Sequence, residues 1–388
     1  VKIIIICLFS LLLGGTSAYF FVIHPEYFSF TTERTILFNK SPEQAKKVIG
    51  FLPYWLVSKA KKDYSPYITN LTYFALTIDA DGKILRLTSP IESEPGWYSL
   101  SSGKMNSRLK EAKDKNIDLS LTVFNGDSDM IDELISDPIN HADNLVSDVM
   151  PIMKKYGFNE LNLDIESTKD ATDGARENFN LFVQEIKQKL KPLNINLVVD
   201  ITGRDLISKE LIDPAKIGQI ADYVMVMTYD FHYAGSSVTG AVAPLSGAGV
   251  TAEYDVESAI GIAKKVISAK KIILGVPLYG YGWETVKDVP HSGIIPGTGV
   301  TMSSNKIEDL LKSCSTCSAS FDPISMESNI IYKDTKTNTY HQLFFPDNSS
   351  TKAKLDYANK QGLGGIGIWA LGYEGENILD PLREYKGN

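Results

Sequence analysis

Between Tyr156 and Glu166 the chain reads YGFNELNLDIE. Asn162, Asp164 and Glu166 alternate there with Leu161, Leu163 and Ile165, a period of two that belongs to a β-strand. One face of that strand is apolar and the other is polar and acidic. Carboxylates two positions apart on one strand face lie ~7 Å from each other. In a dry setting both cannot ionise easily, so one proton is held, and Glu166 suits general acid work near neutral pH. In an antiparallel sheet such a face can look at water, whereas a parallel sheet is covered on both sides. The chemistry therefore turns on which sheet holds the strand. A solvated edge strand is the plain alternative, and the buried character of the neighbouring runs argues against it.

A second group stands in YVMVMTYD at 223–230, where Met225, Met227 and Tyr229 share a face and Asp230 closes the run. A tyrosine hydroxyl at such a strand end can donate a hydrogen bond to developing charge, while the two methionines read first as core. The four tryptophans, Trp55, Trp97, Trp283 and Trp369, all fall at or beside expected strand ends. Flat side chains so placed suit the stacking of sugar rings, with simple core packing as the alternative for any one of them.

Eight short apolar runs are available to position these groups, at 48–55, 71–78, 117–124, 161–166, 195–202, 223–230, 271–280 and 364–371. Amphipathic helical patterns lie between them, for instance at 104–116, 174–191 and 254–268. Eight strand–helix alternations are the signature of an α/β fold of the (β/α)8 TIM-barrel type. An open doubly wound sheet would carry a glycine-rich turn after its first strand, and Phe51-Leu52-Pro53-Tyr54-Trp55 has none. Residues 285–350, between the seventh and eighth runs, are too long for a simple loop and read as a small inserted α+β lobe beside the barrel mouth.

The 388 residues are 43% hydrophobic and 22% charged, with a net charge of −8, an ordinary globular balance. Beyond Lys59, Lys61 and Lys62 there is no dense basic run, so no nucleic-acid partner is expected. At the amino terminus Lys2 precedes the run IIIICLFSLLL and a small-residue exit at Gly14–Ala18, the pattern of an export signal. Ile3 to Ile23 would also reach ~30 Å as a helix, enough to span a bilayer. Residues 1–23 are thus expected to be a cleaved signal peptide or an uncleaved membrane anchor, and 24–47 a linker. The domain at 48–388 would then lie outside, secreted or on the cell surface. Of the three cysteines, Cys7 lies in the apolar run. Cys314 and Cys317 form a CxxC pair that reads as a loop disulfide, with free thiols or a zinc half-site as alternatives.

Taken together, the motifs resemble glycoside hydrolase family 18, the chitinase-type barrels. The family's DGxDxDxE pattern lines up with Asn159 to Glu166, and its later motifs with Met227-Thr228-Tyr229-Asp230, Gly275 to Gly280 and Gly364 to Trp369. YDFHYAGSS at 229–237, VAPLSG at 242–247 and the stretch ending GIWALGYE are similar to the bacterial spore-germination and cell-wall branch. Asn159, Glu160 and Asn162 depart from the pattern. The resemblance implies substrate-assisted, retaining hydrolysis of N-acetylglucosamine-containing glycans, chitin or peptidoglycan. Glu166 would protonate the glycosidic oxygen, Asp164 and Tyr229 would hold the substrate's acetamide, and Trp369 would floor the sugar. Asn162, Met227, Asp230, Tyr54, Trp55, Trp97, Tyr279 and Trp283 are candidates for binding around it. No cofactor or metal is called for. A noncatalytic sugar-binding barrel is the competing expectation.

Overall fold

A computed structural model describes residues 46–387. The candidate signal or anchor at 1–23, Cys7 within it, and the linker up to residue 45 lie outside the described residues. Among those described, no helix is long and apolar enough to cross a membrane.

Seven parallel barrel strands precede the lobe, β1 (Lys47–Pro53), β2 (Asn70–Thr77), β3 (Asp118–Asn125), β4 (Glu160–Ile165), β5 (Asn196–Thr202), β6 (Tyr223–Met227) and β7 (Ile272–Pro277), with a short hairpin of Leu87–Ser89 and Glu92–Ser93 between the second and third. An antiparallel sheet follows, built from β8 (Tyr279–Thr285), β9 (Val300–Ser303), β10 (Ala319–Asp322), β11 (Glu327–Asp334) and β12 (Thr339–Phe345). The last strand, β13 (Gly365–Trp369), pairs with both β7 and β1 and closes an eight-stranded barrel. All eight expected runs are barrel strands. Six of them end one to three residues early, the sixth, at Met227, and the seventh, at Pro277, by the most. The Leu278 N–H makes the last bond of the ladder with β13, to the Trp369 carbonyl at 2.6 Å, but its own carbonyl accepts from Ser304, and Tyr279 then opens the antiparallel sheet. That sheet runs in the order β9-β8-β12-β11-β10, so the inserted lobe begins before residue 285.

β4 shows how the sequence builds two cores at once. Its outward residues Leu161, Leu163 and Ile165 join the layer between strands and helices. The helices flanking it are α1 (Pro138–Tyr156), ended by Gly157 at φ 79°, and α2 (Asp173–Leu190), started by the Thr172 hydroxyl accepting from the Ala175 N–H. Phe179, Phe182, Val183 and Ile186 recur on one face of α2 and are fully buried in that same layer. Each such side chain removed from water contributes roughly 1.5–3 kcal/mol. A separate cluster fills the barrel itself, with Ile49, Phe51, Phe74, Val198, Met225 and Ile273. Two glycines make room for it: a Cβ on Gly367 would stand 2.4 Å from the Met225 sulfur, and one on Gly275 would stand 2.9 Å from the Tyr229 ring.

Glu160 and Asn159, which depart from the family pattern, belong to the amino-terminal end of the barrel. Glu160 is 2% exposed and its Oε2 accepts from Lys47 Nζ at 2.5 Å, while Lys47 also lies over the Tyr223 ring. Asn159 bridges β3 by donating to Asp118 and accepting from the Leu119 N–H. Glu160 is thus half of a buried ion pair that plugs the barrel floor, far along the strand from the carboxyl ends. Removing one partner strands the other's charge in the interior, at a cost of about 3–5 kcal/mol, whereas replacing both with apolar groups costs far less. Urea unfolding should therefore show Lys47→Met strongly destabilised and Lys47→Met with Glu160→Leu close to wild type; equal losses in single and double variants would contradict the pairing.

Candidate active site

At the carboxyl ends of the strands lies a cavity of about 540 Å³, the end at which barrels of this kind assemble sites. Asp164, Glu166, Tyr229, Asp230, Met227, Tyr279 and Trp369 all line it. Glu166 sits one residue past β4, its N–H bonded to the Asn125 carbonyl of β3 at 2.9 Å, so the ladder fixes where its side chain emerges.

The acidic groups are dry. Burial raises the Glu166 carboxyl above its ordinary value, and the charges of Asp205 and Asp230 add to the effect. Asp164, 3% exposed, is pushed well above the usual carboxylate range by burial and then by Asp200 and Glu166. Its Oδ1 is buried with no hydrogen-bond partner. Below it a polar relay crosses three strands: Thr122 Oγ1 donates to Asn162 Oδ1 at 2.9 Å, and Asn162 Nδ2 donates to Asp200 Oδ1 at 2.7 Å. Asn162 therefore reaches the acidic cluster through Asp200 and does not itself line the cavity.

Asp230 is held from the lobe. Its backbone has φ +61°, a left-handed conformation that aspartate tolerates better than most residues, and the Tyr279 and Tyr281 hydroxyls of β8 donate to its Oδ1. Those bonds pull its carboxyl down, while burial, the larger effect, raises it. Thr228 ties the same loop to β7 through the Gly275 carbonyl at 2.8 Å. Tyr229 is raised far above the ordinary phenol range by burial and by Asp164 and Asp200, so its hydroxyl remains a donor.

The aromatic wall differs from the tryptophan set expected from the sequence. Trp369 stands edge-on to Phe74 with ring centres 4.7 Å apart, and Phe51 and Phe124 complete the surface. Trp55 lies 44% exposed against Phe74 and Trp369, beside the cavity, with Tyr54 packed edge-on behind it; neither lines the cavity. Trp283 is 1% exposed inside the lobe, packed on Tyr281 and Phe344 with its ring N–H donating to the Ala234 carbonyl, because its strand turns it away from the mouth. Trp97 belongs to the helix Pro95–Ser101, where the Arg86 guanidinium covers its ring at 4.8 Å. Trp283 is therefore a packing residue with no face open to a sugar, and Trp97, half-buried under Arg86, does not line the cavity.

Several site residues escaped the sequence reading: Asp200, Arg204, Phe51 and Phe74. Asp200 had a legible cue, as the one charged residue inside the run INLVVDIT, the same cue that marks Asp164. The phenylalanines carried none, since an apolar residue on a strand reads as core. Cys314 and Cys317 are disulfide-bonded, in the lobe. Among the described residues, no group of three or more His, Cys, Asp or Glu is arranged to hold a metal ion.

Such a site can deliver a proton from a buried carboxyl to an oxygen lying on an aromatic surface. Glu166→Gln keeps the shape and removes the proton, so kcat should fall by about 10²–10⁴-fold with sugar binding retained. Because Glu166 is raised, the wild-type rate should fall with rising pH only above the ordinary glutamate range. Steady-state kinetics and calorimetric titration with sugar check both points, and wild-type-like turnover in the variant would remove Glu166 from its role.

Comparison with known proteins places this geometry. Residues 47–374 match the model of glycosyl hydrolases family 18. The chain is 26% identical over 267 residues to the uncharacterized glycosylase YvbX of Bacillus subtilis, covering 68% of this chain and 71% of that protein. It is 23% identical over 320 residues to the cortical fragment-lytic enzyme of Bacillus anthracis, covering 81% and 67% respectively. The Group IV chitinase of Ostrinia furnacalis superposes with a TM-score of 0.76 at 20% identity, over 88% of this chain and 100% of that one. A closed parallel barrel with Asp164 and Glu166 at its mouth, and a family match that runs nearly its whole length, establish that the chain belongs to glycosyl hydrolases family 18.

Proposed function

We propose that this domain cleaves β-1,4 bonds in N-acetylglucosamine-containing glycans, with peptidoglycan as the preferred substrate, by substrate-assisted retaining hydrolysis. The observation that carries the reading is the pairing of two dry carboxyls, Asp164 and Glu166, beneath the Trp369 surface. Glu166 gives its proton to the glycosidic oxygen as the bond to the anomeric carbon breaks. The acetamide oxygen of the same sugar attacks that carbon and closes an oxazolinium ring. Water then opens the ring, losing a proton to the Glu166 carboxylate, and the anomeric configuration is retained. Asp164 and Tyr229 serve the acetamide, Asp164 by stabilising the positive charge of the ring and Tyr229 by donating its hydroxyl.

The alternative of a protein nucleophile is less well served. Asp230 is engaged by two tyrosine hydroxyls and Asp200 by Asn162. A sugar-binding barrel without turnover is also disfavoured, since it has no use for an acid whose hold on its proton is raised by burial. If the acetamide is the nucleophile, a thiazoline analogue of the oxazolinium should bind at least 10²-fold tighter than substrate, and glucosamine at the reacting position should be bound but hardly cleaved. Inhibition comparable to that of N-acetylglucosamine oligomers, with efficient cleavage at glucosamine, would point to a different nucleophile.

Two observations favour peptidoglycan over chitin. The relative named above acts, by its name, on cortical fragments. Among the described residues lining the cavity, Arg204 is the one cation; its Nε and one terminal N–H sit on Glu210, and its side chain is 66% exposed. Muramic acid carries a carboxylate and chitin carries none. Arg204→Gln should therefore lower kcat/KM on peptidoglycan by about tenfold, the scale of one exposed charge-assisted contact, and leave chitin oligomers unaffected. Equal losses on both, measured by mass spectrometry of released products, would count against that role. The apolar run at 3–23 supports an extracytoplasmic site of action, which protease access to intact cells tests.

A further inference from the structure

Asp200 has no counterpart in the reaction as described, yet it is built into the centre of the site. It is 3% exposed, lines the cavity, and lies two positions along β5 from Val198, which fills the barrel interior. The β4–β5 ladder ends with Asn162 opposite Val198 and Leu163 opposite Val199, the residues just before Asp164 and Asp200; both aspartates line the cavity, and the charge of Asp200 acts on Asp164.

The hydrogen bonds give the two aspartates different characters. Donors run in one direction, from Thr122 to Asn162 to Asp200, so the chain ends on an acceptor and favours a carboxylate at Asp200. Asp164 Oδ1 receives no hydrogen bond, which favours the neutral acid there. The surrounding titratable and charged groups are Glu166 on the same strand, Glu160 below with its partner Lys47, Asp205 after β5, Tyr229 and Asp230 after β6, and Arg204 turned to Glu210. No cation in that set is free to neutralise both aspartates. Burial raises both.

We propose that Asp200 is a positioning residue for the hydrolytic reaction, the carboxylate that stores the proton Asp164 must release when the acetamide closes on the anomeric carbon. At rest Asp164 carries the proton and Asp200 the charge. As the oxazolinium forms, the proton passes from Asp164 to Asp200, and Asp164 becomes the anion that stabilises the ring. When water opens the ring the proton returns, so the pair ends with the one proton it began with. Asn162 holds Asp200 in place throughout. This rests on the proposed role of Asp164, and the two can fail separately.

The test uses the whole chain and the glycan that wild type turns over, with three variants: Asp200→Asn, Asn162→Asp, and the exchange of both. Asp200→Asn should lower kcat by about 10²-fold with KM within threefold. It should also change the acid limb of the pH–rate profile, because that limb in the wild type reports uptake of a second proton by the pair, at Asp200, and the variant has no carboxylate there to take it. The exchange variant restores one amide and one carboxylate to the pair and should recover at least tenfold over Asp200→Asn. An unmoved profile with kcat within twofold of wild type overturns the proposal, as does an exchange variant no better than the single. If Asp200→Asn does not fold, the exchange decides alone: folded and within tenfold of wild type supports the pairing, folded and inactive overturns it. Weak thiazoline binding by an active wild type would instead overturn the role of Asp164 and the acetamide.

Discussion

The cost of holding several carboxyls out of water is the constraint around which this molecule is arranged. Asp164, Asp200, Glu166 and Asp230 converge on one cavity, and for each of them burial is the largest influence on its proton. Only a closed parallel barrel covered by helices makes the inner strand face dry enough for that, which is why the outward leucines of β4 matter to the chemistry as much as its acids do. The opposite end of the same strand shows the contrast. Glu160 is just as buried, but Lys47 neutralises it, and the result is a structural plug.

Such an arrangement opposes stability at neutral pH. Carboxyls raised by burial bind protons more tightly in the folded chain than in the unfolded one, so their contribution to stability is present at low pH. It is lost as the pH rises from the ordinary carboxylate range through the raised values. The rest of the fold offsets the loss. The lobe contributes directly, since its Tyr279 and Tyr281 secure Asp230, and buried Lys354 joins Glu327 of the lobe to the helix Asn348–Gln361 that leads back into the barrel.

Much of this could be read in the sequence because period-two alternation survives inside a barrel. LNLDIE announces both its buried face and its acidic face, and eight such runs separated by helical patterns leave few other folds. The strand ends were less legible. Nothing local distinguishes the last residues of β7 from the first of β8, and at the break the Leu278 carbonyl accepts from Ser304, on the far side of the loop that follows β8. The tryptophans mislead for a related reason: size and flatness are visible in a sequence, but what the strand or helix that carries them packs them against is not. Trp283 faces the lobe interior while Phe74, with no polar handle to mark it, walls the site. Glu160 looked like a defect in the family motif until Lys47, 113 residues earlier, was seen beside it.

What the account stands on is that burial raises the carboxyls of both Glu166 and Asp164 above the ordinary range. Titration of carboxyl-labelled protein by carbon-13 NMR, with Glu166→Gln and Asp164→Asn used to assign the two signals, measures this without reference to any substrate. Glu166 should titrate above 4.5 and Asp164 well above 3.8, with the Asp164 signal moving lower in Glu166→Gln. Two independent titrations at those ordinary values would contradict it.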